Sequence, residues 1–135
     1  MTATAGPATT SFWSRLGTLV VAFAVGAVYG AVATVGHRQE LRIGDVSLPW
    51  GLVAALIGVA ALLVGIRLVA GGRSAAAAAA AGIVGMVALL TLPGPGGSVI
   101  VVGDVVGTIW SVGPALISVL VVAWPKLPSA RRDPA

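Results

Sequence analysis

From Leu16 to Val35 the chain runs without a charged side chain, and comparable apolar runs recur at about 49–69, 75–92 and 105–124. A helix needs about 20 apolar residues to cross the hydrocarbon core of a bilayer, and each run is close to that length. A backbone in lipid must satisfy its own hydrogen bonds, which leaves helices as the natural solution for runs of this kind. Composition agrees. Of the 135 residues 58% are hydrophobic and 9% are charged, whereas a soluble domain carries about 25% charged residues. The sequence therefore predicts an all-α, polytopic membrane protein with four transmembrane helices in a compact bundle.

The first 15 residues are rich in Thr and Ala, include Gly6 and Pro7, and read as a disordered tail. The first run carries Ala22, Gly26, Gly30 and Thr34 at four-residue intervals, a small-residue stripe where a second helix can approach closely. Cleavage after Ala31-Val32-Ala33, as in a signal peptide, is the rival reading; the length of the run and the three runs that follow argue against it. Residues 36–48 form a polar connection with mixed charges, read as a solvated loop, with a short extended piece at the membrane surface as the alternative.

The second run begins at Pro49-Trp50 and offers Gly58 and Gly65 as small packing positions, and its Arg67 reads as a flank snorkelling toward the headgroups. A Gly71-Gly72 turn makes the second and third runs a hairpin, with Ser74 as the expected N-cap. Seven alanines, Ala75 to Ala81, open the third run. Alanine is the best helix former, and with Gly82 and Gly85 it presents a smooth face for burial against other helices. Pro93-Gly94-Pro95-Gly96-Gly97 ends this helix, and Ser98–Val102 reads as extended. The fourth run holds Gly113-Pro114, which should kink it, with Ser111 or neighbouring helices satisfying the freed carbonyl. Residues 126–135 form a basic tail with Lys126, Arg131 and Arg132.

Four spans put both ends of the chain on one side, with Arg15, Arg67, Arg73, Lys126, Arg131 and Arg132; the opposite side has Arg38 and Arg42. The positive-inside rule then predicts a cell membrane protein with both termini in the cytoplasm. Trp13, Trp50, Trp110 and Trp124 all fall near span ends and are expected to be interfacial anchors. The net charge of +4 is accounted for by these flanks, and no basic face or aromatic platform suggests nucleic acid.

Gly103-Asp104-Val105, with Trp110 behind it, echoes Gly44-Asp45-Val46 with Trp50. The echo suggests a duplicated helical hairpin related by a parallel repeat; chance similarity between Gly/Val-rich stretches is the other reading. Asp104 is expected to cap the fourth helix rather than to handle ions, and Asp45 to serve a similar turn or cap role. His37 is the sole histidine and there is no cysteine, so disulfides and thiolate metal sites are excluded and a histidine metal site lacks a second ligand at metal spacing. No cofactor is implied. The embedded glutamate of the small multidrug exporters and the cysteine pairs of the quinone-linked disulfide-forming enzymes are both missing.

At Gly103-Asp104-Val105-Val106-Gly107 with Trp110, and at Leu48-Pro49-Trp50-Gly51-Leu52-Val53, the chain resembles a group of small, uncharacterised four-helix membrane proteins of actinobacteria. The resemblance implies fold and location and attaches no activity. The sequence-level expectation is a non-enzymatic structural or accessory protein, whose partners are the lipid bilayer and other membrane proteins or further copies of itself, helping a larger envelope or transport complex. A small oligomeric transporter or channel subunit, with Asp104 and Asp45 lining an outer vestibule, is the alternative.

Overall fold

In a computed structural model, which describes residues 11–92 and 104–125, the chain forms α1 (Phe12–Gly36), β1 (Leu41–Ile43), β2 (Val46–Leu48), α2 (Trp50–Ala70), α3 (Arg73–Thr91) and α4 (Val105–Ala123). All four helices are long and apolar enough to cross a membrane. The expectations for residues 1–10, for the Pro-Gly break with Ser98–Val102, and for the basic tail from Lys126 lie outside the described residues.

Helix limits differ from the sequence reading where caps decide them. Residues 12–15 were expected in the tail but belong to α1, because the Ser11 hydroxyl accepts the Ser14 N–H at 3.1 Å and caps the helix. Ser74 is not an N-cap. Gly71 closes α2 at φ +72°, Gly72 is extended, and α3 is already under way at Arg73. The solvated loop of the first connection is a two-stranded antiparallel hairpin pairing Leu41 with Leu48 and Ile43 with Val46. Gly44 takes φ +62° in its two-residue turn, a backbone that the first position of the II′-type hairpin reserves for glycine.

Packing is dominated by α1 against α3, helices that are not neighbours in sequence. The buried residues of α1 are Ala22, Gly26, Gly30, Ala33 and Thr34. The buried residues of α3 include Ala75, Ala76, Ala79, Ala80, Gly82 and Ile83, and Ala79, Gly82 and Ile83 among them face α1. The approach is so close that a Cβ on Gly26 would collide with the Ala79 carbonyl, and one on Gly82 with the Phe23 carbonyl. A Cβ on Gly30 would stand 3.0 Å from the Ile83 carbonyl oxygen. Gly26 meets Ala79 and Gly30 meets Ile83, so the register advances in the same sense on both helices and the pair is parallel. Backbones this near exchange extensive dispersion contact, the means by which helices associate where water does not drive them together.

The second pair is α2 with α4, also parallel: a Cβ on Gly113 would press on the Leu56 side chain, and Arg67 reaches Val121. Pro114 sits inside an unbroken α4. Ser111 donates to the Gly107 carbonyl at 2.8 Å, not to the Trp110 carbonyl that proline leaves without its usual donor. Tyr29 ties α1 to α2 by donating to the Ala55 carbonyl at 2.7 Å. Gly58 makes room for that hydroxyl, so its smallness seats a side chain rather than a backbone. Gly65 and Gly85 were expected to pack but do not within this chain; an added Cβ on either meets nothing within 4 Å.

Arg67 is not a flank snorkelling toward the headgroups. It is 6% exposed and donates to the carbonyls of Val121 at 2.6 Å and Pro125 at 3.0 Å. Arg73 donates to the Trp124 carbonyl at 3.1 Å. The last carbonyls of a helix lack partners and carry partial negative charge, and Pro125 has no N–H to offer them. Two arginines, one in the last turn of α2 and one opening α3, supply the missing donors.

Gly26→Leu or Gly82→Leu should lower the unfolding free energy in detergent by at least about 2 kcal/mol, because backbone atoms cannot give way to the new side chain. Gly85→Ala should instead raise it by about 0.5–1 kcal/mol through helix propensity alone. Equilibrium unfolding followed by circular dichroism checks both; equal effects at Gly26 and Gly85 would contradict the α1–α3 packing.

Candidate functional site

The small-residue stripe of α1 ends in a polar cluster. Thr34 occupies its last step, His37 lies three residues on as the C-cap, and Arg38 follows. The start of α2 holds this corner in place. Gly51 donates its N–H to the Gln39 carbonyl at 3.0 Å, and a Cβ there would strike the Gly36 carbonyl. Facing the corner is the first turn and a half of α4, with Asp104, Gly107 and Trp110.

Trp110 is fully buried, in contrast to Trp13, Trp50 and Trp124, which are 76%, 52% and 56% exposed. Its expected role as an interfacial anchor is therefore wrong. It belongs to the inner face of α4, with Gly107, Pro114 and Ser118. Its indole N–H donates to the Thr34 hydroxyl at 3.0 Å, which in turn donates to the Gly30 carbonyl at 2.6 Å. Buried indoles need such an acceptor. The His37 ring stacks on Trp110 with centroids 5.5 Å apart and 13° between planes.

His37 is 1% exposed. Its Nδ1 lies 2.5 Å from the Thr34 carbonyl oxygen, so Nδ1 carries the proton of the neutral ring and Nε2 is left as an acceptor. That Nε2 is buried without a hydrogen-bond partner among the described residues. Burial lowers the His37 pKa, opposed by the Thr34 carbonyl; nearby Arg38 lowers it further and Asp104 raises it. The cost of desolvating an imidazolium is the leading cause.

Asp104 caps α4 by accepting the Gly107 N–H at 2.8 Å. It also takes a two-pronged ion pair from Arg38, at 2.6 and 3.1 Å. The Arg38 hydrogen bond, aided by the Gly107 N–H, holds the Asp104 pKa down to about 2. Asp45 behaves differently from its echo. It is the second residue of the β1–β2 turn, and α2 starts from Pro49 with no side-chain cap bond. The Gly-Asp-Val phrases thus take different local structures at their aspartates.

The cluster brings together Asp104, Trp110 and Thr34, the last step of the small-residue stripe, and adds His37 and Arg38, to which the sequence assigns no site role. Spacing carries the signal for His37, which follows Thr34 at a helical interval, and Gly107, Trp110 and Pro114 share one face. Chemically the arrangement offers one imidazole lone pair and one ion pair. No group of three or more His, Cys, Asp or Glu side chains able to hold a metal exists among the described residues. The chain matches no protein-family model, no curated protein and no solved structure.

Acid should weaken this corner in two steps. A histidine whose folded pKa lies below its unfolded value of about 6.5 contributes stability above that value and loses it as pH falls below it. The unfolding midpoint should therefore drop between about pH 7 and pH 5, and His37→Asn should flatten that drop. The Asp104 contribution is complete above its unfolded pKa of about 4 and disappears as pH approaches about 2; Asp104→Asn should remove that second step. Thermal unfolding in detergent across this pH range reads both. A wild-type midpoint independent of pH between 7 and 5 would refute the buried neutral His37.

Proposed function

We propose that the chain is an integral protein of the cell membrane, with both termini cytoplasmic, that serves as a structural or accessory component of a larger envelope or transport complex. One observation carries this reading. The outward faces of the helices are apolar along their length, while the polar side chains that enter the bundle are largely spent on its own architecture. Val28 and Val32 on α1, Ile57 and Leu68 on α2, and Leu116 and Val119 on α4 are all 60% or more exposed. Inside, Tyr29, Thr34 and Arg67 bond to backbone carbonyls, and at the exposed hairpin end Asp104 is engaged by Arg38 and Gly107.

Gly65 and Gly85 open outward, where small residues admit the backbone of another helix; this favours partner membrane proteins or further copies of the chain. The orientation rests on charge. Arg15, Arg67 and Arg73 gather at one end of the bundle with Lys126, Arg131 and Arg132 following α4, and only Arg38 and Arg42 stand at the hairpin end. A transporter or channel subunit is the second reading. It has less support, because Asp104, one of the two aspartates it would place in a vestibule with Asp45, is committed to a cap and an ion pair.

The cysteine-free chain allows direct tests. In intact cells a maleimide that cannot cross membranes should label Cys at Ser98 and leave Cys at Ser129 untouched; the reverse pattern would overturn the orientation. Affinity purification from native membranes should return other membrane proteins in fixed proportion. Recovery of a symmetric homo-oligomer alone, with solute flux in proteoliposomes that Asp104→Asn abolishes, would replace the accessory reading with the transport one.

A further inference from the structure

Helices α3 and α4 meet along a groove rather than a filled seam. Ala77, Ala80 and Ala81 on α3 face Ala115 and Ser118 on α4, with valines of both helices along the sides, and together they leave an open surface groove of about 610 Å³. Arg73 stands exposed at its mouth, bonded to the Trp124 carbonyl at 3.1 Å. Deeper in, Ser118 is 6% exposed and its hydroxyl has no hydrogen-bond partner among the described residues. That is unusual in this chain. Thr18, Thr34, Thr91 and Ser111 each donate to the carbonyl four residues earlier, and Ser118 does not.

The order along the groove is a cation, then a hydroxyl six residues in from Trp124, or about 9 Å at the helical rise, then apolar wall. An anionic glycerophospholipid has the same order: phosphate, ester carbonyl, acyl chain. We propose that the α3–α4 groove is a binding site for one anionic phospholipid. The phosphate pairs with Arg73, an ester carbonyl accepts from Ser118 after rotation about χ1, and an acyl chain covers Ala77 and Ala81. The inference rests on the bilayer reading above. A helix from a second copy fits the charges less well. Glu40, Asp45 and Asp104 all lie at the hairpin end, so a parallel neighbour brings none of these three to Arg73.

The test is native mass spectrometry of the full chain in detergent, titrated with dioleoylphosphatidylglycerol or dioleoylphosphatidylcholine. Wild type should retain one phosphatidylglycerol and hold phosphatidylcholine more weakly. Arg73→Gln should weaken phosphatidylglycerol about tenfold, as loss of a charge-assisted bond implies, while Arg15→Gln at the same end leaves it unchanged. Ala81→Leu should fill the groove and abolish retention with Arg73 intact. Ser118→Ala should reduce affinity without lowering unfolding stability, because it removes a buried hydroxyl that has no partner in the lipid-free bundle. Equal affinity of Arg73→Gln and Arg15→Gln, or undiminished binding by Ala81→Leu, overturns the proposal. So does a dimer that Ala81→Leu converts to monomer while lipid retention is unaffected, which would make the groove a helix seat. Alkaline carbonate extraction of native membranes separates the two readings. Release of the chain defeats the bilayer reading itself; retention with no selective lipid binding defeats the groove proposal alone.

Discussion

The near-contact of two helix backbones, α1 and α3, is the interaction on which the remaining structure depends. It is possible because Gly26 on one helix and Gly82 on the other present no side chain at the crossing. Alanines fill the adjacent positions, with Ala75, Ala76, Ala79 and Ala80 turned inward. Between helices surrounded by lipid, burial of apolar surface gives little advantage, and close packing and hydrogen bonding carry association. Pairing the first helix with the third leaves the second and fourth to pair with each other. The polar corner follows from the same contact, since the stripe that packs against α3 runs straight into Thr34 and His37.

Helix α4 is held by charge at both ends. Asp104 meets the positive end of its dipole and is itself fixed by Arg38, which follows the end of α1. Arg67 and Arg73 meet the negative end. Charged residues make up 9% of this chain, and Asp104, Arg67 and Arg73 among them are placed where the ends of α4 need them. This economy also explains why Pro114 is tolerated. Anchored at both ends and packed on α2 through Gly113, the helix runs unbroken past a residue that removes one of its bonds.

Much of the architecture was legible in the sequence, because length and hydropathy alone define helices that can cross a membrane. The cap at Asp104 and the packing role of Ala22, Gly26, Gly30 and Gly82 were legible too, since small residues at four-residue spacing mark a face. Which face meets which helix was not. Gly65 and Gly85 fit the same pattern as Gly26 but point away from the bundle, because pattern records a face without naming its partner. Trp110 was misread for a related reason. A tryptophan near a span end suits the headgroup region, and only the three-dimensional approach of Thr34 and His37 makes burial the better solution. Arg67 likewise looked like a flank until the end of α4, 54 residues later in the chain, supplied its acceptors. The hairpin at Leu41–Leu48 was legible only as the alternative of a short extended piece, because the interleaved charges favoured a solvated loop and obscured the Gly44 turn.

The most direct test of this account is the relative direction and register of α1 and α3, measured by pulsed electron–electron double resonance on spin-labelled chain in lipid nanodiscs. Exposed positions Val21 and Ser74 lie at matched levels of the parallel pair, as do Val35 and Ala88. Labels on each matched pair should give short distances, while Val21 with Ala88, and Val35 with Ser74, should be separated along the axis by about 21 Å, the rise of 14 helical residues. Short distances for the crossed pairs and long ones for the matched pairs would mean that α1 and α3 run antiparallel, which the structure described above cannot accommodate.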